Sequence, residues 1–167
     1  IVPTSISSVL AHHKFKAVDF NIVKTYGLYA ILGATLGTIF TSTLKTEQLI
    51  LFFVIVTFFL GIYLIFLKEK KIESNLNFKT HFKIFFGFIS GFISAPMGIG
   101  GAIMNVPVLK FFGFSINRAI GSAAAVGFLI ATTASIGFLI TGNYKEINAP
   151  LSIGFINIPA FLIFVPI

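Results

Sequence analysis

One stretch of this sequence carries residues able to do chemistry inside a run that otherwise has none: SAPMGIGGAIMNVPVLKFFG, Ser94 to Gly113. Gly98, Gly100 and Gly101 can take backbone angles closed to other residues. Pro96 before them removes one backbone donor, and Pro107 lies beyond them, so the two prolines mark a structural break in a helix. A half-helix starting near Ala102 exposes unpaired N–H groups at its N-terminus. Those groups and the helix dipole favour an anion. Irregular backbone at membrane depth is tolerated only inside protein or beside water, and an anion site in a wet cavity meets that condition. Asn105 sits early in the half-helix, within reach of such a ligand. Arg118 is the single arginine. Two roles are open to it: neutralising the anion from a cavity mouth, or marking membrane orientation. Ser122, Thr132, Thr133 and Ser135 follow in the next run, either lining a pathway or bonding helix to helix.

Other chemistry is poorly supplied. The chain has no cysteine, which excludes disulfides, thiolate metal sites and a cysteine nucleophile. Ser90 has no histidine within a span to activate it, so no catalytic residue is assigned and no enzyme is expected. His12 and His13 have no carboxylate at ligand spacing, so no metal site and no cofactor is expected. The five acids, Asp19, Glu47, Glu69, Glu73 and Glu146, fall between the apolar runs, which leaves no buried carboxylate for a proton relay.

The elements that position these residues are membrane spans. Charged residues make up 10% of the 167 residues, against about 25% in soluble domains. Mean hydropathy is +1.00. A net charge of +7 would suggest nucleic acid in a soluble chain. Here the lysines separate apolar runs, so the lipid bilayer is the partner and nucleic acid is not. The fold class is all-α, a multi-pass bundle. Ile1 to Ala11 reads as the end of a span whose Thr4, Ser5, Ser7 and Ser8 face protein or water. Thr25 to Leu44 and Gln48 to Leu67 are each about 20 residues, enough for ~30 Å of hydrocarbon. Ala119 to Tyr144 is a further span, and Ile147 to Ile167 begins another. Within these runs, Gly33-x-x-x-Gly37 and Gly87-x-x-x-Gly91 have the spacing that lets helix backbones touch. The expected organisation is 1–67, the end of a first repeat half; 68–83, a basic connector; and 84–167, a second half holding the broken helix. Both ends lie in apolar runs, so the chain reads as a piece of a longer protein.

Charge decides how Phe82 to Phe112 is placed. As one helix it would measure roughly 46 Å, too long for one crossing without heavy tilt. If it enters and returns as a broken hairpin, ten of the twelve basic residues share one side. Only Lys45 and Lys145 are then left opposite. A full crossing strands Lys110 and Arg118 there as well. The positive-inside rule favours the hairpin. A loose repeat, PTSISSVLAHHKFKAVDF against TTASIGFLITGNYKEINA, then lies on opposite faces. This is the inverted-repeat plan of many transporters.

These motifs carry a resemblance. Gly-x-x-Ser-Gly at Gly87 to Gly91, Gly98-Ile-Gly-Gly101-Ala, Val-Pro107-Val-Leu and Arg118-Ala119-Ile-Gly121-Ser122, with the loop from His13 to Asp19, resemble the TauE/SafE (sulfite exporter, TSUP) family. Ala102 stands where a third glycine is common in that family, and Ser122-Ala123 where Thr-Ser is usual. The resemblance covers nearly the whole chain. It implies a multi-pass permease with duplicated halves in the bacterial inner membrane, moving sulfite, organosulfonates or related small anions. Export fits the chemistry, because an inside-negative potential expels each negative charge with ~2.3 kcal/mol per 100 mV. The competing class is a non-transporting structural or assembly subunit whose glycines serve packing alone.

Overall fold

A computed structural model describes residues 1–66, 80–99, 101–143 and 151–164. Most of them are helical. In order they form α1 (Val2–Lys14), α2 (Phe20–Thr43), α3 (Thr46–Phe66), α4 (Thr80–Met97), α5 (Ala102–Phe111), α6 (Ile116–Asn143), the two short strands β1 (Ser152–Ile153) and β2 (Ile156–Asn157), and α7 (Ile158–Phe164). Three helices, over Phe20–Thr43, Thr46–Tyr63 and Ile116–Gly142, are long and apolar enough to cross a membrane.

α2 begins five residues before the expected span, because Asp19 caps it. The Asp19 carboxylate accepts the N–H groups of Asn21 and Ile22, which satisfies two of the orphan donors of the first turn. Similarly α6 starts at Ile116, so Arg118 lies within its first turn.

The core is α2, α4 and α6, which run parallel to one another. Between α2 and α4 the contact is backbone to backbone. A Cβ on Gly33 would lie 2.0 Å from the Phe88 carbonyl oxygen, and one on Gly91 would lie 2.0 Å from that of Ala30. Gly37 meets the Phe92 carbonyl and Gly87 that of Tyr26 in the same way, at 2.5 Å and 2.7 Å. The two glycine pairs therefore interlock reciprocally, each helix offering its carbonyls to the other's glycines. Pro96 contributes here, since its missing N–H leaves the Phe92 carbonyl without an i+4 donor. Against α6, Gly27 takes Leu129 and Gly137 takes Thr38. Over Thr46–Tyr63, α3 buries none of its residues in this core. Its Phe58, Phe59 and Ile65 are exposed, an arrangement suited to hydrocarbon.

α4 and α5 form a hairpin. Phe86 near the start of α4 meets Phe112 just past the end of α5, with ring centroids 6.0 Å apart. Midway, Ser90 bonds Asn105. The chain therefore turns back after Met97, as the charge distribution favours. Lys14, Lys16, Lys24, Lys83, Lys110 and Arg118 lie towards one end of the bundle, and Lys45 at the other.

Two expectations are corrected. Pro107 does not break the chain: it is buried inside α5, a helix of ten residues that has few bonds to lose. Residues 151–164 form no span. β1 and β2 pair antiparallel, Ser152 with Asn157 and Ile153 with Ile156. Gly154 between them lets the turn approach the Leu139 carbonyl, where a Cβ would stand 2.6 Å away. Asn157 Oδ1 accepts the Ala160 N–H and so starts the seven-residue α7.

Candidate functional site: the broken hairpin

Two glycines make the break. Gly98 has φ +63° and Gly101 φ +71°, angles that side chains rarely adopt. The Gly98 N–H closes α4 on the Ser94 carbonyl at 3.0 Å. Gly101 is the N-cap of α5, with no side chain capping it. The first bond of α5 runs from the Asn105 N–H to the Gly101 carbonyl, 2.9 Å. The N–H groups of Ala102, Ile103 and Met104 lie ahead of it, so they are the orphan donors of this terminus. The predicted start at Ala102 is the observed one.

The depth of this terminus follows from the packing. α5 is ten residues long, about 15 Å, half of a hydrocarbon core. Gly101 faces Ile130 in the middle of α6. Two cavities flank the break. One of about 200 Å³ lies between Thr4, Ser5 and Ser8 of α1, Ala102 of α5, and Ala124 and Gly127 of α6. At ~30 Å³ per water, it has room for several waters or one small oxyanion. The other, about 70 Å³, is bounded by Ser94, Gly98, Ile130 and Ser135. The hydroxyl-bearing face of α1 thus looks onto the first turn of α5.

Asn105 is fully buried. Its Oδ1 accepts from Tyr26 Oη at 2.8 Å and from Ser90 Oγ. Tyr26 Oη also reaches the Phe86 carbonyl, 3.3 Å. Among the described residues the Asn105 Nδ2 has no hydrogen-bond partner. It lies 2.8 Å from the point a Gly101 Cβ would occupy, with Ser94 Oγ 3.5 Å from the same point. Any side chain at 101 would displace it.

The sequence-derived candidates therefore divide. Gly98, Gly101 and Asn105 come together at the break, with Pro96 in the last turn of α4. Gly100 lies outside the described residues. Arg118 and Ser122 are not brought to this place. Arg118 is twelve residues before Ile130 along α6, about 18 Å away. Its side chain is 59% exposed, with Nη2 4.0 Å from Asp19 Oδ2. Ser122 is fully buried, and its Oγ accepts the Asp19 backbone N–H at 2.9 Å. Beside it, a Gly121 Cβ would lie 2.5 Å from the Ala17 carbonyl oxygen. The Arg118–Ser122 motif and the His13–Asp19 loop thus dock on one another, seating the α1–α2 turn on α6. Tyr26 and Ser90 are not among the expected site residues. Their signal is only that a buried hydroxyl in an apolar helix needs a partner, and spacing does not name which.

Three apolar helices of spanning length beside a broken helical hairpin define a multi-pass membrane protein. The chain belongs to the family described as Sulfite exporter TauE/SafE, whose sequence profile matches residues 1–167. It is 26% identical over 162 residues to a protein of Haemophilus influenzae named as a probable membrane transporter protein. That alignment covers 97% of this chain and 61% of the relative, so the chain spans about three-fifths of the relative's length. No solved structure matches it.

Proposed function

We propose that the protein is a secondary transporter that exports a small anion, such as sulfite, an organosulfonate or a related sulfur-containing anion. The observation that carries this reading is the half-length α5, whose uncapped N-terminus opens at mid-depth beside a cavity lined by α1 hydroxyls. At the break Gly98, Gly101 and Asn105 bind the anion, and Ser8 of α1, on the neighbouring cavity, offers it a hydroxyl. Arg118 acts at a distance, raising anion concentration at the basic end of the bundle. That end faces the cytoplasm of a bacterial cell, following the positive-inside rule, and the hairpin belongs to one of two inverted halves. The relative's description as a probable membrane transporter and the family's association with sulfite export agree with this reading.

The reciprocal glycine packing of α2 and α4 gives the rival reading, a structural subunit, its own observation. A matched pair of variants separates the two. Gly101→Ala and Gly113→Ala each place a side chain at positive φ, +71° and +84°. The Gly101 Cβ meets Asn105 Nδ2 and Ile130, whereas the Gly113 Cβ meets nothing within 4 Å. In liposomes loaded with sulfite or methanesulfonate, Gly101→Ala loses efflux per folded molecule and Gly113→Ala keeps it. Parent protein without flux, or equal flux in both variants, overturns the assignment.

A further inference from the structure

An amide donor buried without a partner costs roughly 1–3 kcal/mol, and more in hydrocarbon, where water cannot reach it. Asn105 Nδ2 is in that position, while the other half of the same amide is doubly bonded. The asymmetry needs a cause. A leucine of similar shape would pack there without the unpaired donor, leaving the Tyr26 and Ser90 hydroxyls to share one acceptor, the Phe86 carbonyl, which lies 3.3 Å from Tyr26 Oη and four residues before Ser90 in α4. What the asparagine adds over a leucine is the Nδ2 amide group, with its two N–H donors, beside the uncapped start of α5 and its three backbone N–H groups. These donors converge where the helix dipole is positive, and no side chain of negative charge lies between Ile84 and Leu109. Such a set is complete only when an anion arrives.

Resting on the anion-transport reading, we propose that Tyr26 and Ser90 are positioning residues of the anion site: they hold Asn105 Oδ1 so that Nδ2 faces the break as an anion ligand. Free of them, the amide can rotate by half a turn and present its oxygen to the anion, replacing attraction with repulsion. The two hydroxyls come from different helices, α2 and α4, and the amide from α5. The orientation is therefore set by the closed interface of all three. Nδ2 is sealed from solvent here, with Ile130 against the break, so the anion reaches it when α5 and α6 part.

The test measures anion-induced thermal stabilisation of the protein in lipid nanodiscs, with methanesulfonate and sulfite as probes, and derives an apparent Kd from each titration. Asn105→Leu keeps its anion-free melting temperature within a few degrees of the parent but loses the anion response. Tyr26→Phe and Ser90→Ala each leave one hydroxyl on Oδ1 and keep most of the affinity. The double variant frees the amide and weakens Kd by roughly tenfold or more. This non-additive pattern is one a purely structural cluster does not produce. An Asn105→Leu protein with the parent's Kd overturns the proposal. So does a double variant that melts lower while binding as the parent does. In both cases the anion-transport reading stands. A parent that neither probe stabilises and that shows no flux refutes that reading, and the positioning role with it.

Discussion

Gly91→Ala adds one methyl group where α2 and α4 have no room. Its Cβ would lie 2.0 Å from the Ala30 carbonyl oxygen, 2.8 Å from the carbonyl carbon and 2.9 Å from the Ala34 nitrogen. All three are backbone atoms, so no rotamer change relieves the contact. An ordinary contact begins at 3.4 Å, so the helices must part locally by about 1.4 Å. Overpacking of this kind costs about 1–3 kcal/mol. The displacement also stretches the bonds from Tyr26 on α2 and Ser90 on α4 to Asn105, a further loss of about 1 kcal/mol. At roughly 2–4 °C per kcal/mol for a chain of this size, melting falls by about 4–16 °C. Gly61→Ala is the control. It lies inside α3 with nothing within 4 Å of its Cβ, and helix propensity alone favours alanine by about 1 kcal/mol. Thermal stability in detergent, followed by size-exclusion recovery after heating, therefore moves in opposite directions for the two variants. A Gly91→Ala protein that melts at or above the parent temperature refutes the backbone-contact argument, and with it the description of α2 and α4 as the core.

Other outcomes follow from the same geometry. Asp19→Ala removes the α2 cap and lowers stability by about 0.5–2 kcal/mol, read as a melting shift; an unchanged melting temperature shows the cap to be replaceable by water. Arg118→Gln changes the apparent affinity for the anion only at low ionic strength, because about 18 Å separates it from the break and the Debye length is ~8 Å at physiological salt but ~30 Å at 0.01 M. An effect that persists at high salt would place the guanidinium at the anion itself. Single cysteines at Lys16 and Asn117 label from one side of the membrane and a cysteine at Leu44 from the other; Lys16 and Asn117 on opposite sides would break the hairpin topology.

The spans were readable because hydrocarbon allows so few alternatives. The uncharged run Gln48 to Leu67 became Thr46–Phe66, and Ala119 to Tyr144 became Ile116–Asn143. The start of the half-helix at Ala102 was readable too, since two glycines and a proline leave the backbone little other use. What lay beyond the sequence is register. Tyr26 and Asn105 are 79 residues apart, and only the glycine interlock of α2 and α4 brings them level. Arg118 is near the Gly-rich motif in sequence but at the far end of the bundle, because α5 descends about 15 Å before α6 begins. The apolar composition of residues 151–164 resembled a span. A close-approach glycine and an asparagine cap turned it into a ribbon and a short helix.

The uncharged interior of the hairpin bears on electrical work. Between Lys83 and Lys110 no side chain carries a fixed charge, so the hairpin itself would offer the proposed anion at Gly101 dipoles and amides but no counter-ion. The charge of that anion would stay uncompensated within the hairpin, and its loaded and empty forms would differ by that charge. The membrane potential then acts on the loaded step with ~2.3 kcal/mol per charge per 100 mV and leaves the empty return untouched. Under the proposed anion-export function, a carrier built this way would act as a rectifier: voltage would drive its cargo outward, and a monovalent anion, a divalent anion and an empty cycle would be told apart by the current each one passes.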